Sequence, residues 1–442
     1  MTASDVQTEK RAMGKSVFFL ALPIILENIL QTLLGTVDTY FAGQLGDQAI
    51  AGIGVTNLVV NLFISFYTAL SVGAGVVTAR AFGRGDREAV GHALSHALVL
   101  GGGIGLGCGL VCLALARPIL RLSGAEGDVI ACALPYFLVV AVPSVVLCLQ
   151  LILSSGLRAM KDTKSPMYVT VLCNLLNILL NVLLIKLGLG VLGLGLATTL
   201  SRLAGSAALF LLLRKKLGRG LSLSGLNRQG FAPILRVGLP AGGEKLIMRV
   251  GQLVYSSMIL SMGTGAYVAH NVAGSVESYS YIPAMGFGLA VTTLVGGSLG
   301  EGSPDKARQA VKAAYFWAVG IMVPMGLGFF LLARPLTGLF TQTPEVQALA
   351  ASVLRLIAFF QPFAALVQVM TGALQGAGDT KFPMYSTLLG IWGIRLGLGW
   401  LLAIPLGLGL LGVWWAYALD VTVRGILLAL RFRRGAWQSI KL

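Results

Sequence analysis

The segment Asp162-Thr-Lys-Ser-Pro-Met-Tyr168 recurs further along the chain as Asp379-Thr-Lys-Phe-Pro-Met-Tyr385, at an offset in numbering of 379 − 162 = 217. Further pairs share this offset: Leu22-Pro23 and Leu239-Pro240, Glu27 and Glu244, Gly46 and Gly263, Gly83 and Gly300, and Arg117-Pro118 and Arg334-Pro335. Six matches at one offset indicate an internal duplication. We therefore predict an N-terminal lobe of residues 1–220 and a C-terminal lobe of residues 221–442, connected by the basic segment 214–236.

Long apolar runs make up most of the chain on both sides of each repeated segment. Of its 442 residues, 56% are hydrophobic and 11% are charged, whereas soluble domains contain roughly 25% charged residues. This composition cannot cover the surfaces of the two or three soluble domains that such a length would otherwise make. It excludes a disordered chain, a secreted disulfide scaffold and a cytosolic enzyme, and it predicts a polytopic membrane protein.

The apolar runs predict twelve membrane spans, because a spanning helix needs about 20 apolar residues. The runs begin near Ser16, Ala49, Val90, Val129, Pro166, Val191, Ala232, Ala266, Val311, Val346, Pro383 and Leu410. They are continuous rather than alternating, which favours helices over a barrel. The expected fold is an all-α membrane protein with two six-helix lobes. Because six is an even number, both lobes have one orientation, and their pseudo-twofold axis follows the membrane normal.

Basic residues orient the spans. If the N-terminus is cytoplasmic, the inner segments hold 23 Lys and Arg residues, and the outer loops hold four, at Arg117, Arg121, Lys186 and Arg334. This asymmetry predicts two cytoplasmic termini in the cell (inner or plasma) membrane. The net charge of +16 is spread over many loops, so no nucleic-acid partner is expected.

Carboxylates within the spans are the first functional candidates. Each ionised group there costs at least about 2.5–3.5 kcal/mol. Five of the 17 carboxylates fall inside predicted spans: Glu27, Asp38, Glu244, Glu277 and Asp420. Arg249, Arg395 and Arg424 are candidate ion-pair partners for Glu277 and Asp420. Whether the three carboxylates of the C-terminal lobe are functional or structural stays open.

Asp38 is the sharpest candidate. Glu27 precedes it by about three helical turns, so both lie on one helix face with Gln31 between them. The second and fifth spans add polar stripes, at Asn57 and Asn61 and at Asn174, Asn177 and Asn181. A buried carboxylate beside amide oxygens can hold a desolvated cation or take a proton. Interhelical hydrogen bonding is the structural alternative.

The two lobes are chemically unequal. The repeat counterpart of Glu27 is Glu244, but the counterpart of Asp38 is Tyr255. We assign to a substrate cavity the residues Glu27, Gln31, Asn57, Asn61, Glu244, Tyr255 and Glu277. No histidine cluster or nucleophile motif supports an enzyme. The segment Gly188-Leu-Gly190-Val-Leu-Gly193 fits a dinucleotide fingerprint but lies at an outer turn, so no cofactor is expected.

Several motifs, together with the two predicted lobes, resemble the multidrug and toxic compound extrusion (MATE) transporters. They are Leu22-Pro23, Val37-Asp38-Thr39, Gly83-Arg-Gly-Asp86, Asn177-Ile-Leu-Leu-Asn181, Gly193-Leu-Gly-Leu-Ala-Thr198 and Gly412-Val-Trp-Trp-Ala416. The resemblance covers nearly the whole chain. It implies export of diverse, mostly cationic and amphiphilic small organic compounds through the lipid bilayer in exchange for H⁺ or Na⁺.

The resemblance also implies roles for single residues. Asp38 matches the aspartate that binds the coupling ion, Asn177 and Thr198 match residues of the same site, and Pro23 matches a proline that bends the first helix. A sodium ion would then bind at Asp38, Asn177 and Thr198. Asn181, also placed in the site, stands where some members carry a second aspartate, which makes sodium binding weaker.

A lipid-linked precursor flippase of the wider superfamily is the alternative function. Its support is a set of basic residues inside the spans: Arg202, Lys245, Arg249, Arg355, Arg395 and Arg424. Such a flippase would favour a basic cavity for a pyrophosphate group. The substrate, the coupling ion and its stoichiometry stay open; for the oligomeric state we expect a monomer.

Overall fold

The computed structural model describes residues 3–218, 221 and 226–440, and these are helical nearly throughout. In the first sequence repeat the helices are α1 (Ala3–Leu45), α2 (Asp47–Gly83), α3 (Arg87–Leu122), α4 (Asp128–Ala141), α5 (Ser144–Ala159), α6 (Lys164–Lys186) and α7 (Gly190–Leu217). No strand occurs in these described ranges, which confirms the expected all-α fold class.

The second repeat follows the same order. Its helices are α8 (Arg228–Leu260), α9 (Thr264–Gly300), α10 (Pro304–Leu331), α11 (Ala333–Gly338), α12 (Pro344–Ala358), α13 (Gln361–Gly376), α14 (Lys381–Leu388), α15 (Gly399–Ala403) and α16 (Gly409–Arg433). A π-helix, Leu389–Leu398, connects α14 to α15, and a 3₁₀ turn, Ala436–Ser439, follows α16.

Within the described residues, nine helices are long and apolar enough to cross a membrane, and two bent pairs raise the number to eleven. The pairs are α4 with α5, bent by 43°, and α12 with α13, bent by 60°. The one remaining predicted span, the seventh, begins near Ala232 in α8, a helix of 33 residues that carries several charged side chains.

The helix ends reproduce the duplication that the sequence predicts. At the offset of the repeated segment, α2 matches α9 and α5 matches α13 at both ends. Breaks are repeated as well: Leu115 interrupts α3 with φ −116° and ψ 22°, and Leu332, its counterpart, separates α10 from α11 with φ −104° and ψ 19°. The turns before α2 and α9 need glycine, because Gly46 and Gly263 have φ of 109° and 115°.

The repeated Asp162 segment holds the start of α6. The Asp162 carboxylate accepts hydrogen bonds from the backbone N–H of Ser165 at 3.0 Å and from its hydroxyl at 2.7 Å, and it pairs with Lys216. Burial alone would raise the pKa of Asp162, but the bonds from Lys216 and Ser165 hold this pKa below its usual value. In the second copy, Asp379 instead binds Arg431 at 2.8 Å.

The chain forms two compact units, residues 26–242 and residues 1–25 with 243–442. Their boundaries, after Ile25 and after Gly242, are separated by the offset of the sequence repeat. The lobe limits expected from the sequence, 1–220 and 221–442, stay a prediction. The compact units differ from those limits, since each boundary falls inside the first helix of a repeat, two residues after Pro23 or Pro240.

Each unit therefore contains the beginning of one repeat's first helix packed against the other repeat's second helix. In the unit of residues 26–242, a Cβ on Gly73 of α2 would lie 2.3 Å from the carbonyl oxygen of Ile234 in α8. In the other unit, a Cβ on Gly286 of α9 would lie 2.3 Å from Ile25 of α1. Glycine at both contacts allows the helices to approach closely.

Candidate functional site

A closed ring of hydrogen bonds surrounds Asp38 of α1. Asn181 donates to Asp38 Oδ1 at 3.2 Å, and the Thr198 hydroxyl lies 3.1 Å from Asp38 Oδ2. Asn181 also donates to Asn177 Oδ1 at 3.0 Å, and Asn177 donates to the Thr198 hydroxyl at 3.3 Å. The four side chains are buried. The structure thus brings together all four residues that the sequence assigns to ion coupling.

Local helix geometry explains the ring. Asn177 and Asn181 are one turn apart on α6, so both present their amides to the same neighbour. Thr198 follows on α7, where its hydroxyl also contacts the Leu194 carbonyl oxygen at 3.0 Å. α6 and α7 are consecutive helices and pack along each other. Asp38 is the single carboxylate in this ring.

The ring contains no cationic member. Within the described residues no ion pair involves Asp38, although Arg202, one turn after Thr198, is near enough to interact electrostatically with it. The oxygen Oδ1 of Asn181 is buried and has no hydrogen-bond partner in the described part of the chain. Asp38 is therefore a single carboxylate that accepts hydrogen bonds from neutral donors and lies beside the unbonded Asn181 oxygen. Such a carboxylate can change its charge without breaking an ion pair.

Glu27, which the sequence assigns to the substrate cavity, is held by an ion pair. Arg158 of α5 donates to Glu27 Oε2 at 3.0 Å, and Ser154 donates to Oε1 at 3.1 Å. The Glu27 side chain is 3% exposed and that of Arg158 is 14% exposed. Sequence reasoning missed Arg158, which is distant from Glu27 in the chain.

The other residues assigned to the cavity in this unit lie outside the Asp38 ring. Gln31 and Asn61 are exposed and Asn57 is half-buried. Pro23 lies inside α1, which is helical on both sides of it. The cavity roles of these polar residues, the cavity role of Glu27 and the bending role of Pro23 stay predictions.

In the unit of residues 243–442, Glu244 occupies the repeat position of Glu27 but has different partners. Gln375 donates to Glu244 Oε2 at 3.1 Å, and Thr387 donates to Oε1 at 3.3 Å. Gln375 stands at the repeat position of Arg158. The second copy thus replaces the guanidinium by a neutral amide, and the buried Glu244 carboxylate is bound by two uncharged donors.

Asp420 of α16 forms the ion pair that its basic neighbours indicate. Arg395 donates to Asp420 Oδ2 from Nε at 3.0 Å and from Nη2 at 2.6 Å, and Arg424 donates to the same oxygen at 3.2 Å. A Cβ on Gly390 would lie 2.0 Å from Asp420 Oδ1. This glycine of the π-helix therefore gives the carboxylate the space that it occupies.

Glu277 of α9 is not bonded to any of the arginines that the sequence offers as its ion-pair partners. Its Oε1 accepts a hydrogen bond from the Tyr417 hydroxyl at 2.7 Å, and the Tyr281 hydroxyl is bonded to that of Tyr417. The Arg395 guanidinium lies over the Tyr417 ring, 4.3 Å from its centroid, and 5.8 Å from that of Tyr255. A tyrosine hydroxyl therefore contacts this carboxylate where the sequence suggests a cation.

The sequence-based prediction did not connect either tyrosine with Glu277, although signals for both exist. Tyr281 is one helical turn from Glu277. The glycine motif that begins at Gly188 recurs as Gly407-Leu-Gly409-Leu-Leu-Gly412, at an offset of 407 − 188 = 219, slightly larger than that of the repeated segment. At this offset Tyr417 is the counterpart of Thr198. Among the described residues no cluster of three metal-ligating His, Cys, Asp or Glu side chains occurs.

Duplicated helical units with buried charge networks inside apolar helices define a polytopic membrane transporter. The MatE family model matches residues 23–183 and 240–401, once in each repeat. The chain belongs to this family, the MATE transporters, and is not an enzyme.

Known proteins are similar to this chain along nearly its full length. A "Probable multidrug resistance protein NorM" of Thermotoga maritima is 34% identical over 436 residues, 96% of this chain and 93% of that protein. A solved structure of MATE in the bent conformation is 25% identical, covers 99% of each chain and has a TM-score of 0.91. A MOP superfamily transporter from Pyrococcus furiosus, whose binding pocket has reverse polarity suggesting a different function, is 25% identical over 97% of each chain, with a TM-score of 0.89.

Proposed function

We propose that this protein is a multidrug exporter that moves amphiphilic, mostly cationic organic compounds out of the cell in exchange for H⁺ or Na⁺, with Asp38 as the coupling group. The supporting observation is the Asp38 ring: one buried carboxylate, hydrogen-bonded to Asn181 and Thr198. An ionised group inside a membrane helix is costly and marks function by default. The similarity to a probable multidrug resistance protein of Thermotoga maritima supports multidrug export.

The coupling follows from charge balance. When Asp38 takes a cation or proton from outside, its charge is neutralised and a cationic substrate loses an attractive partner. If one monovalent substrate leaves for each monovalent ion that enters, the membrane potential, worth about 2.3 kcal/mol per charge per 100 mV, cancels. The ion gradient alone then drives export, and one pH unit supplies about 1.4 kcal/mol, or roughly a tenfold substrate gradient.

The hydrogen-bond donors around Asp38 favour H⁺ over Na⁺ as the coupling ion. Both Asp38 oxygens already accept hydrogen bonds from neutral donors, and Asn177 Oδ1 accepts one from Asn181. Na⁺ bound at Asp38, Asn177 and Thr198 would require these donors to turn away. A proton adds to the carboxylate without such rearrangement.

The same proposal covers the substrate cavity, the bending of α1 and the location of the protein. Substrates would bind beside Glu27, Gln31, Asn57, Asn61, Glu244, Tyr255 and Glu277, with carboxylates and aromatic rings attracting cations. Pro23 would bend α1 as Asp38 changes charge. We place the protein in the cell (inner or plasma) membrane, in contact with lipid, with both termini cytoplasmic and as a monomer without a cofactor.

Transport by purified protein in proteoliposomes tests the proposal. Efflux of a fluorescent organic cation is measured with a proton gradient and, separately, with a sodium gradient. Wild type should respond to the proton gradient and Asp38→Asn should not. Asp47→Asn, an exposed carboxylate at the start of α2, is the matched control and should transport normally. Wild-type efflux by Asp38→Asn would remove Asp38 from the mechanism, and a response to sodium alone would make Na⁺ the coupling ion.

The flippase alternative rests on the basic residues inside the spans, and a similar transporter from Pyrococcus furiosus has a binding pocket of reverse polarity that suggests a different function for that protein. Two of these basic residues of the present chain, Arg395 and Arg424, form ion pairs with Asp420, which leaves them less available to a pyrophosphate group. Translocation of a fluorescent pyrophosphate-linked lipid in the same proteoliposomes, without cation efflux, would establish the alternative.

A further inference from the structure

We propose that the unit of residues 243–442 has a proton-binding site of its own, formed by the Glu277 carboxylate and the hydroxyls of Tyr417 and Tyr281 beside the Arg395–Asp420 ion pair. Glu277 is 6% exposed and lies on an apolar helix. Its contact with Tyr417 measures 2.7 Å. The site adds a second titratable carboxylate to the proposed function, one in each unit.

The direction of the hydrogen bonds suits a carboxyl group that gains and loses a proton. Tyr417 donates to Glu277 Oε1, so in the contact between the two hydroxyls Tyr281 must donate to Tyr417. Glu277 is the terminal acceptor of this chain when ionised. When a proton binds to its other oxygen, Oε2, forming one O–H bond, Oε1 still accepts from Tyr417. Both states therefore keep the chain intact.

The charges of five side chains, Glu277, Glu244, Asp420, Arg395 and Arg424, taken together leave room for one proton. Asp420 shares a single oxygen between Arg395 and Arg424, so these three groups carry one positive charge together. Ionised Glu277 and Glu244 add two negative charges, and both are bound by neutral donors. The network is then negative by one charge, and an uncompensated charge is unfavourable inside a membrane helix. One bound proton makes the network neutral.

Four helical segments, α8, α9, the π-helix and α16, contribute titratable groups around Glu277. Those that interact with Glu277 or with its partners are Tyr255 from α8, His270 and Tyr281 from α9, Arg395 from the π-helix, and Tyr417, Asp420 and Arg424 from α16. From α10, α11, α12 and α13, which also pack against α9, no titratable group among the described residues interacts with Glu277. Arg395 is therefore the cation that faces it.

The arrangement is specific to the second repeat. Tyr255 and Tyr417 occupy the counterparts of Asp38 and Thr198, while Glu277 occupies the counterpart of Val60. Arg395 lies in the π-helix Leu389–Leu398, whereas the matching helix α6 of the first repeat is α-helical throughout. π-Helices are rare in proteins, and those that occur are often found at functional sites. The second copy has thus built a carboxylate site on a different helix.

The ligand is a proton rather than a metal ion. Sodium needs several free oxygen ligands, whereas the Tyr417 hydroxyl that contacts Glu277 donates its hydrogen to Oε1. A proton needs only the carboxylate itself.

Infrared difference spectroscopy of the full chain in lipid vesicles tests this site without depending on transport. The protonated carboxyl band is recorded from alkaline to acid pH in an Asp38→Asn background. We expect one buried carboxyl to titrate there and to be lost when Glu277→Gln is added. Tyr417→Phe should move the titration midpoint to higher pH by about one unit or more, because the carboxylate loses a donor. Tyr279→Phe, an exposed tyrosine of α9, is the matched control.

The outcomes separate this inference from the proposed function. Identical titrations with and without Glu277→Gln would overturn the inference, and so would a carboxyl band that responds to sodium at constant pH. An unmoved midpoint in Tyr417→Phe would remove the hydroxyl pair from the site. Loss of the band in Glu277→Gln, with native elution on size-exclusion chromatography, supports it. None of these results depends on whether Asp38 couples transport.

Discussion

The ion pair between Arg158 and Glu27 predicts a large loss of stability when the arginine alone is replaced. Arg158→Gln copies the arrangement that the second repeat already has at Gln375 and Glu244. Removing one member of a buried ion pair typically costs about 3–5 kcal/mol. The glutamine amide can restore one hydrogen bond to the charged group, worth about 1.5–3 kcal/mol. We therefore expect a net loss of about 1–3 kcal/mol in the free energy of unfolding.

The measurement is reversible unfolding in mixed detergent micelles, with a double-mutant cycle. Glu27→Gln combined with Arg158→Gln should be more stable than Arg158→Gln alone, because no carboxylate then stays buried without a cation. Arg84→Gln, at an exposed arginine after α2, is the control and should change stability by less than about 0.5 kcal/mol. If Arg158→Gln unfolds like this control, the ion pair does not hold α5 to α1.

Two further predictions concern the Asp38 ring and the repeated loop segment. Asn181→Asp places a second carboxylate beside Asp38, and cation efflux in proteoliposomes should become dependent on sodium; an unchanged response to protons alone would contradict the charge argument. Asp162→Asn should open the loop before α6 at neutral pH, measured as faster amide hydrogen exchange there. Because folding lowers the pKa of Asp162, its contribution is complete above the ordinary aspartate pKa of about 3.9 and is lost as pH falls through the lowered value. The variant and wild type should therefore converge in acid, and a difference that persists there would refute the assignment.

The sequence predicts the helices and the Asp38 ring well because both depend on short-range rules. Apolar run lengths locate the spans, and the constant offset between the repeats locates the paired helix ends. Asn177 and Asn181 reach Asp38 because residues one turn apart share a helix face. Here the periodicity of one helix is enough to infer which side chains converge.

The partners of Glu27 and Glu277 could not be predicted in the same way. Arg158 is one of several basic residues near inner helix ends, and only the packing of α5 selects it for Glu27. Tyr417 becomes the neighbour of Glu277 because the second repeat is longer across its π-helix, which enlarges the offset between the two copies beyond that point. Periodicity arguments assume regular α-helices, so they fail where the helix type changes.

The division of the chain after Ile25 and Gly242 has a consequence for its ancestry. A half-length ancestor that assembled in pairs would have placed the start of its first helix in the partner's core, as in a domain-swapped dimer. Gene fusion would then have joined two such subunits without repacking either core. Neither half of the gene, expressed alone, encodes every helix segment that one core requires, so splitting the chain at its linker yields two fragments that must fold together.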